Sequence, residues 1–254
     1  MPEQTRSIRI LLANPNATPS MTENCVSMIL PTLPADVQIV PFTAPEPAPT
    51  AIEGAVDNTL SAAASFRAIL TLQQAENYDA ILVACYSDHG MIKMLREEFD
   101  VPVIGIMEAS LFAARTLGAR FGIIATGPRS KVRLADEMHT YGMEKWCAGI
   151  ESCDLGVLGL HSNSEELVHA KLQNVARSLV LRGAEVITLG CAGMADMKAA
   201  VEDAVCGNGV QIVDGVLAGV HHLVGMVRME CRTAKNGLYA ASSEGRRKRG
   251  QDYV

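Results

Sequence analysis

Two cysteines close two similar segments of this chain, Asp79-Ala80-Ile81-Leu82-Val83-Ala84-Cys85 and Glu185-Val186-Ile187-Thr188-Leu189-Gly190-Cys191. Each segment is an acidic residue, then a short apolar run of the kind that makes a buried parallel strand, then a thiol where the strand should end. Polar or glycine residues able to open a helix follow. A thiol has an ordinary pKa of about 8.5. An electropositive setting such as a helix N-terminus brings it toward neutrality, where it serves both as thiolate base and as thiol acid. Ligands of open α/β sheets bind outside the carboxyl ends of the strands. Two such ends facing each other would therefore flank one small-molecule site with sulfur on both sides.

The elements that must position these thiols read as repeated β-α units. Residues 8–13 form the first strand, and the turn Asn14-Pro15-Asn16-Ala17-Thr18 leads to a helix over 20–30. Residues 37–40 form a second strand, which runs into the stiff stretch Pro45-Glu46-Pro47-Ala48-Pro49, either a wall or lid of a pocket or a plain surface connection. A helix over 53–76 precedes the strand that ends at Cys85. Tyr86-Ser87-Asp88-His89-Gly90 then opens a helix over 90–98, and 101–106 is a fourth strand, followed by a helix over 108–117. The order repeats with a strand over 121–125, the turn Thr126-Gly127-Pro128-Arg129-Ser130 and a helix over 129–140. A strand near 154–158, a helix over 163–182 and the strand that ends at Cys191 come next, then Ala192-Gly193-Met194, a strand over 211–214 and a helix over 215–229. Such a duplication predicts an α/β fold of two similar lobes, each a parallel four-stranded sheet flanked by helices. A pseudo-two-fold axis relates them, with the active site in the cleft between. The expected lobes are 1–106 and 107–214, with helix 215–232 packing back on the first; 233–254 reads as a frayed tail.

The same pattern nominates polar residues around the thiols. Asn14 and Asn16 fall at the carboxyl end of the first strand, and Thr126 and Ser130 occupy the equivalent turn of the second lobe. Ser130 also reads as the N-cap of its helix. Tyr86, Ser87 and His89 add polar groups beside Cys85, His89 being either a solvent-facing helix start or a group that tunes the thiolate. Asp88 reads as a helix cap.

Composition narrows the function. With 254 residues and 48% hydrophobic content the chain has ample core. A net charge of −6 argues against a nucleic-acid surface, and the one basic cluster, Arg246-Arg247-Lys248-Arg249, reads as a solvated tail. No apolar run is long enough to span a membrane and no signal-peptide core is visible, which predicts a cytoplasmic protein. The seven cysteines lie at irregular spacings without a C-x-x-C pair. Reduced thiols are expected, with no metal and no cofactor. Cys25, Cys147, Cys153, Cys206 and Cys231 lack matched counterparts and read as structural.

Several segments together resemble the Asp/Glu/hydantoin racemase superfamily, and within it the hydantoin and allantoin racemase branch. They are Asn14-Pro15-Asn16, Ala51-Ile52-Glu53, Ala84-Cys85 with Asp88 and Gly90, Tyr141-Gly142-Met143, Gly190-Cys191-Ala192-Gly193-Met194 and Asp214-Gly215-Val216. The resemblance runs from residue 8 to about 230. Amino-acid racemase relatives more often carry Gly-Cys-Thr-Glu at the second cysteine. One departure stands out. Where the branch typically reads Cys-Phe-Gly-Asp-Pro-Gly-Leu, this chain reads Cys85-Tyr86-Ser87-Asp88-His89-Gly90-Met91.

The resemblance implies a cofactor-independent racemase of a five-membered cyclic ureide, allantoin or a 5-substituted hydantoin. Cys85 and Cys191 would be the two acid/base groups, and Asn14, Asn16, Tyr86, Ser87, Thr126, Ser130, Ala192 and Gly193 the substrate contacts. A homo-oligomer is common in the family. Two other readings are an amino-acid racemase of the Asp/Glu type, which needs cationic groups for two carboxylates, and a non-catalytic ligand-binding or thiol-sensing relative. Arylmalonate decarboxylase relatives usually keep one catalytic cysteine, so the pair argues against that branch.

Overall fold

A computed structural model describes residues 7–251, and the side chains of all of these except residues 73–75. The first half runs β1 (Ile8–Asn14), α1 (Pro19–Ile29), β2 (Val37–Thr43), α2 (Ala55–Ala75), β3 (Ala80–Val83), α3 (Gly90–Glu98), β4 (Val103–Gly105) and α4 (Ile106–Leu117). The second runs β5 (Phe121–Ala125), α5 (Pro128–Tyr141), β6 (Cys147–Ser152), α6 (Gly159–Ser162), α7 (Glu165–Leu181), β7 (Val186–Leu189), α8 (Lys198–Ala204), β8 (Gln211–Val213) and α9 (Gly215–Arg228), with α10 (Ser243–Lys248) after it. Both halves form a parallel four-stranded sheet, in the orders β2-β1-β3-β4 and β6-β5-β7-β8. The expected two-lobed α/β fold is thus the observed one.

Strand position follows from composition. The central strands β3, β5 and β7 are buried along their whole length, as near-continuous apolar runs require when helices cover both faces. β2 instead alternates buried and exposed residues and holds Pro41, which a strand paired on one side only tolerates. In each sheet the chain leaves one side of the first strand and returns on the other. The crevice at that reversal lies between the ends of β1 and β3 in one sheet and of β5 and β7 in the other. Val83 pairs with Ala13, and Leu189 with Ile124, so Cys85 and Cys191 stand at the same offset, two residues past the last residue of their strands. Gly190 belongs there sterically, because a Cβ on it would clash with the Ile124 carbonyl oxygen.

The helices interlock the lobes. α4 follows the first sheet but lies on β7 and β8 of the second, and α9 follows the second sheet but lies on β1, β3 and β4 of the first. The two helices pack on each other. Asp214 caps α9, accepting from the Val216 and Leu217 backbone N–H groups at 2.8 and 2.9 Å.

Two elements differ from the sequence reading. The strand expected near 154–158 lies at 147–152 instead. Asp154 and Gly156 take φ of 53° and 71°, a left-handed backbone that a strand excludes, so the apolar residues there belong to a loop. The stretch after 232, expected to fray, carries α10 and lies along α3. Lys235 donates to the Arg96 and Glu97 carbonyls at the C-terminus of α3, Arg246 pairs with Glu98 at 2.7 Å, and Ser242 bonds Glu97. Polar contacts hold this segment, and hydrophobic periodicity does not register them. Among the described residues no helix is long and apolar enough to cross a membrane, and all seven cysteines are free thiols.

Candidate active site

The carboxyl ends of the two sheets meet across one cleft. From the first lobe come Asn16, Met21, Ile52 and the Ala84-Cys85-Tyr86 turn; from the second come Thr126, Ser130, Arg133, Val157 and the Gly190-Cys191-Ala192-Gly193 turn. Both cysteines are half-buried on this wall. The loop before α2 closes one side: Ile52 lines the cleft, the Glu53 carboxylate accepts from the Val157 N–H at 3.3 Å, and the Arg129 guanidinium lies against Gly54. The segment after the proline-rich stretch is therefore a wall that touches both lobes.

Each sulfur has one local hydrogen-bond partner. Cys85 Sγ lies 3.2 Å from Ser87 Oγ, and Cys191 Sγ accepts from the Gly193 N–H at 3.3 Å. The expectation that helix starts acidify both thiols is not met. α3 begins at Gly90 and is capped by His89, while Cys191 heads only the single 3₁₀ turn Ala192–Met194. Burial then dominates. It pushes the Cys85 thiol up, against the Ser87 hydroxyl and the Arg133 cation, with Glu137 adding to the rise. It pushes Cys191 up to about 12, opposed by the Gly193 N–H and Arg133 and reinforced by Cys85 and Cys153.

The expected substrate contacts divide into two groups. Asn16, Thr126, Ser130, Ala192 and Gly193 line the cleft. Among the described residues Asn16 Nδ2 meets only the Met21 sulfur at 3.4 Å, while its Oδ1 accepts from the Thr18 N–H and from Asn14 Nδ2, which leaves Nδ2 a donor for a ligand. Thr126 and Ser130 hydroxyls are 3.0 Å apart, so one of their two protons stays free for a carbonyl. Ser130 is not the helix cap, since that position belongs to Gly127.

Asn14, Ser87 and Tyr86 turn elsewhere. The Asn14 amide is spent on Asn16, Thr18 and Thr22, which fixes the turn after β1. Ser87 is fully buried behind the Cys85 sulfur. Tyr86 borders the cleft, but its hydroxyl points into the inter-lobe core, 2.6 Å from Thr188 Oγ1 on β7 and accepting from Ser110 Oγ on α4 at 3.2 Å. It is a strut between lobes, not a polar group at the pocket mouth. His89 is also fully buried: Nδ1 accepts the Met91 N–H at 3.3 Å and Nε2 lies 3.0 Å from Ser61 Oγ. Asp88 caps nothing; it pairs with Lys93 at 2.7 Å.

Arg133 was missed by the sequence reading. It brings the guanidinium that borders the cleft, and Glu137 one turn later meets it at 2.6 Å. Ser130, Arg133 and Glu137 follow one another at three and four residues, so the periodicity of α5 puts all three on the cleft-facing side. Met21, Ile52 and Val157 supply apolar wall that no polar motif marks.

Comparison with known proteins identifies the family and the fold. The model of the Asp/Glu/Hydantoin racemase family matches residues 10–223. A hydantoin racemase of Pseudomonas sp. (strain NS671) is 34% identical, with 91% of each chain covered. An uncharacterised protein of Schizosaccharomyces pombe is 40% identical, covering 92% of this chain and 98% of that one. Among solved structures, the allantoin racemase from Klebsiella pneumoniae superposes with a TM-score of 0.84 at 28% identity, over 92% of this chain and 94% of that one. With two matched sheets, a thiol at the same offset in each and this match over most of its length, the chain belongs to the Asp/Glu/Hydantoin racemase family.

Proposed function

We propose that this protein racemises a five-membered cyclic ureide, allantoin or a 5-substituted hydantoin, by passing the C5 proton between Cys85 and Cys191. Family membership makes it an isomerase of the racemase type. The observation that supports the proposal is a pair of cysteines, one from each lobe, that line a single cleft. Inversion of a carbon acid needs a base on one face and an acid on the other. Charge on Cys85 raises the cost of ionising Cys191, so the two are not ionised together, and on this route one acts as thiolate while the other keeps its proton. The thiolate removes C5–H, the carbanion delocalises into the adjacent ring carbonyl as an enolate, and the opposite thiol returns a proton to the other face. Asn16 and the Thr126–Ser130 hydroxyl pair are the donors placed to hold ring carbonyls as that charge develops.

The amino-acid reading is weaker on these contacts. Arg133 is the one cation among the described residues lining the cleft, and Glu137 already neutralises it. A dicarboxylate would find no free positive partner. A non-catalytic binder would have no need of two matched thiols, and polarimetry separates it from an enzyme: rotation of one enantiomer of allantoin decays to zero only if the protein turns over.

Cys85→Ser and Cys191→Ser test the route. Each should lower racemisation by about 10²–10⁴-fold, the usual worth of one acid/base group. Each should still exchange C5–H for deuterium without inversion, in opposite enantiomers, read by proton NMR in D2O. Exchange of the same enantiomer by both variants, or racemisation at the wild-type rate by either, overturns the two-thiol route.

A further inference from the structure

Ser87 does not reach the cleft, yet its hydroxyl meets one group among the described residues, the Cys85 sulfur at 3.2 Å. The backbone holds it there, because the Ser87 N–H donates to the Cys85 carbonyl at 3.0 Å. The side chain is fully buried, so no water competes for the hydroxyl.

We propose that Ser87 is a positioning residue for Cys85: from behind the sulfur it fixes the thiol's rotamer and donates to the thiolate, making Cys85 the first of the two sulfurs to act as base. This rests on the two-thiol route. A thiolate only accepts, so the Ser87 O–H must donate to it. Once Cys85 has taken the C5 proton, its S–H can donate back to the Ser87 oxygen, because a hydroxyl does both. The hydrogen bond is therefore kept in both halves of the cycle. The partner of Cys191 is different in kind: the Gly193 N–H only donates, so it can meet the sulfur as thiolate or, more weakly, as thiol, but it cannot take a hydrogen bond from the Cys191 S–H.

The protons balance without any further reactant. The Cys85 thiolate takes C5–H and becomes a thiol; Cys191 gives its proton to the opposite face and is left as the thiolate. The other charged or titratable groups bearing on Cys85 are Arg133 and Glu137 on α5 and Cys191 across the cleft. Arg133 acts on both sulfurs. Only Ser87 distinguishes Cys85 by direct contact.

The test measures alkylation of each cysteine by iodoacetamide at about pH 8, resolved by peptide mass spectrometry, in wild type, Ser87→Ala and Ser87→Gly, with circular dichroism confirming the fold. Below the thiol pKa the rate follows the thiolate fraction. A hydrogen bond to an ionised group is worth about tenfold or more in that fraction, so Cys85 should react about tenfold more slowly in both variants while Cys191 keeps its rate. The acid limb of kcat/KM should move up by about one pH unit, the same factor. A Cys85 rate unchanged in both variants, or both cysteines slowed alike, overturns the proposal. Alkylation does not depend on turnover. Racemisation surviving in Cys85→Ser would remove the two-thiol route by itself, whatever the Ser87 variants show.

Discussion

Acid should destabilise this protein through His89, and the size follows from how the ring is held. Nδ1 accepts the Met91 N–H, so the neutral ring carries its proton on Nε2, facing Ser61. A second proton would set two N–H groups against each other at the cap of α3 and place a cation in a fully buried site near Arg133. Burial first, and Arg133 second, push the pKa from 6.5 down to about 4. The unfolded chain then binds the proton more readily, so stability is full above about pH 6.5 and is lost as pH falls toward 4. At about pH 5 the loss from this residue is about 2 kcal/mol. Asp214 opposes it: burial raises its carboxyl to about 6, so its contribution is lost as pH rises through 6 and is recovered in acid. The two must be separated by difference. Urea unfolding of wild type and His89→Asn, at about pH 7.5 and about pH 5, does so, since Asn keeps an N-cap acceptor and Asp214 is common to both. The wild type should lose about 2 kcal/mol more than the variant on acidification. Equal losses would show that His89 is not held neutral.

Two further substitutions probe the cleft's surroundings. Tyr86→Phe removes the hydroxyl shared with Thr188 and Ser110, and should cost about 1–3 kcal/mol of stability in urea with little change in relative kcat/KM across hydantoin side chains; altered selectivity with unaltered stability would contradict the strut. Glu137→Gln removes the carboxylate that raises Cys85 and leaves Arg133 unneutralised, so Cys85 should be alkylated at lower pH than in wild type. A shift to higher pH would contradict that electrostatic picture.

The sheets were legible because each central strand is an apolar run closed by a polar or thiol-bearing turn, repeated in order. β6 was not, since Cys147–Ser152 is a half-buried edge and the more apolar 154–158 sits beside it in a left-handed loop. The two cysteines could be placed from sequence because a strand end is a position. Which way a neighbouring side chain turns is not. Asn14 and Asn16 differ by two residues, yet one amide is consumed by Thr18 and Thr22 and the other lines the cleft. Tyr86 and Ser87 flank the same thiol, and packing sends both hydroxyls away from solvent. Arg133 was within reach of a phase argument from Ser130, but a charge on a helix most often faces water, and only the opposing lobe makes that side of α5 a cleft wall.

Arg133 also bears on how a cleft hostile to thiolates could carry the proposed two-thiol route. Burial disfavours charge on either sulfur, and the fixed charges beside them, Arg133 and Glu137, cancel within one turn of α5. On the proposed two-thiol route a single negative charge would pass from one sulfur to the enolate and on to the other sulfur, and the number of buried charges would not change. Arg133 lowers the cost of ionising both Cys85 and Cys191, so on that route the charge would start and end its path under the influence of the same cation. A fixed cation that favours both ends would spare such a reaction from reorganising its surroundings at each half cycle. Since a racemase must run in both directions, a cation that acts on both thiols suits the proposed route.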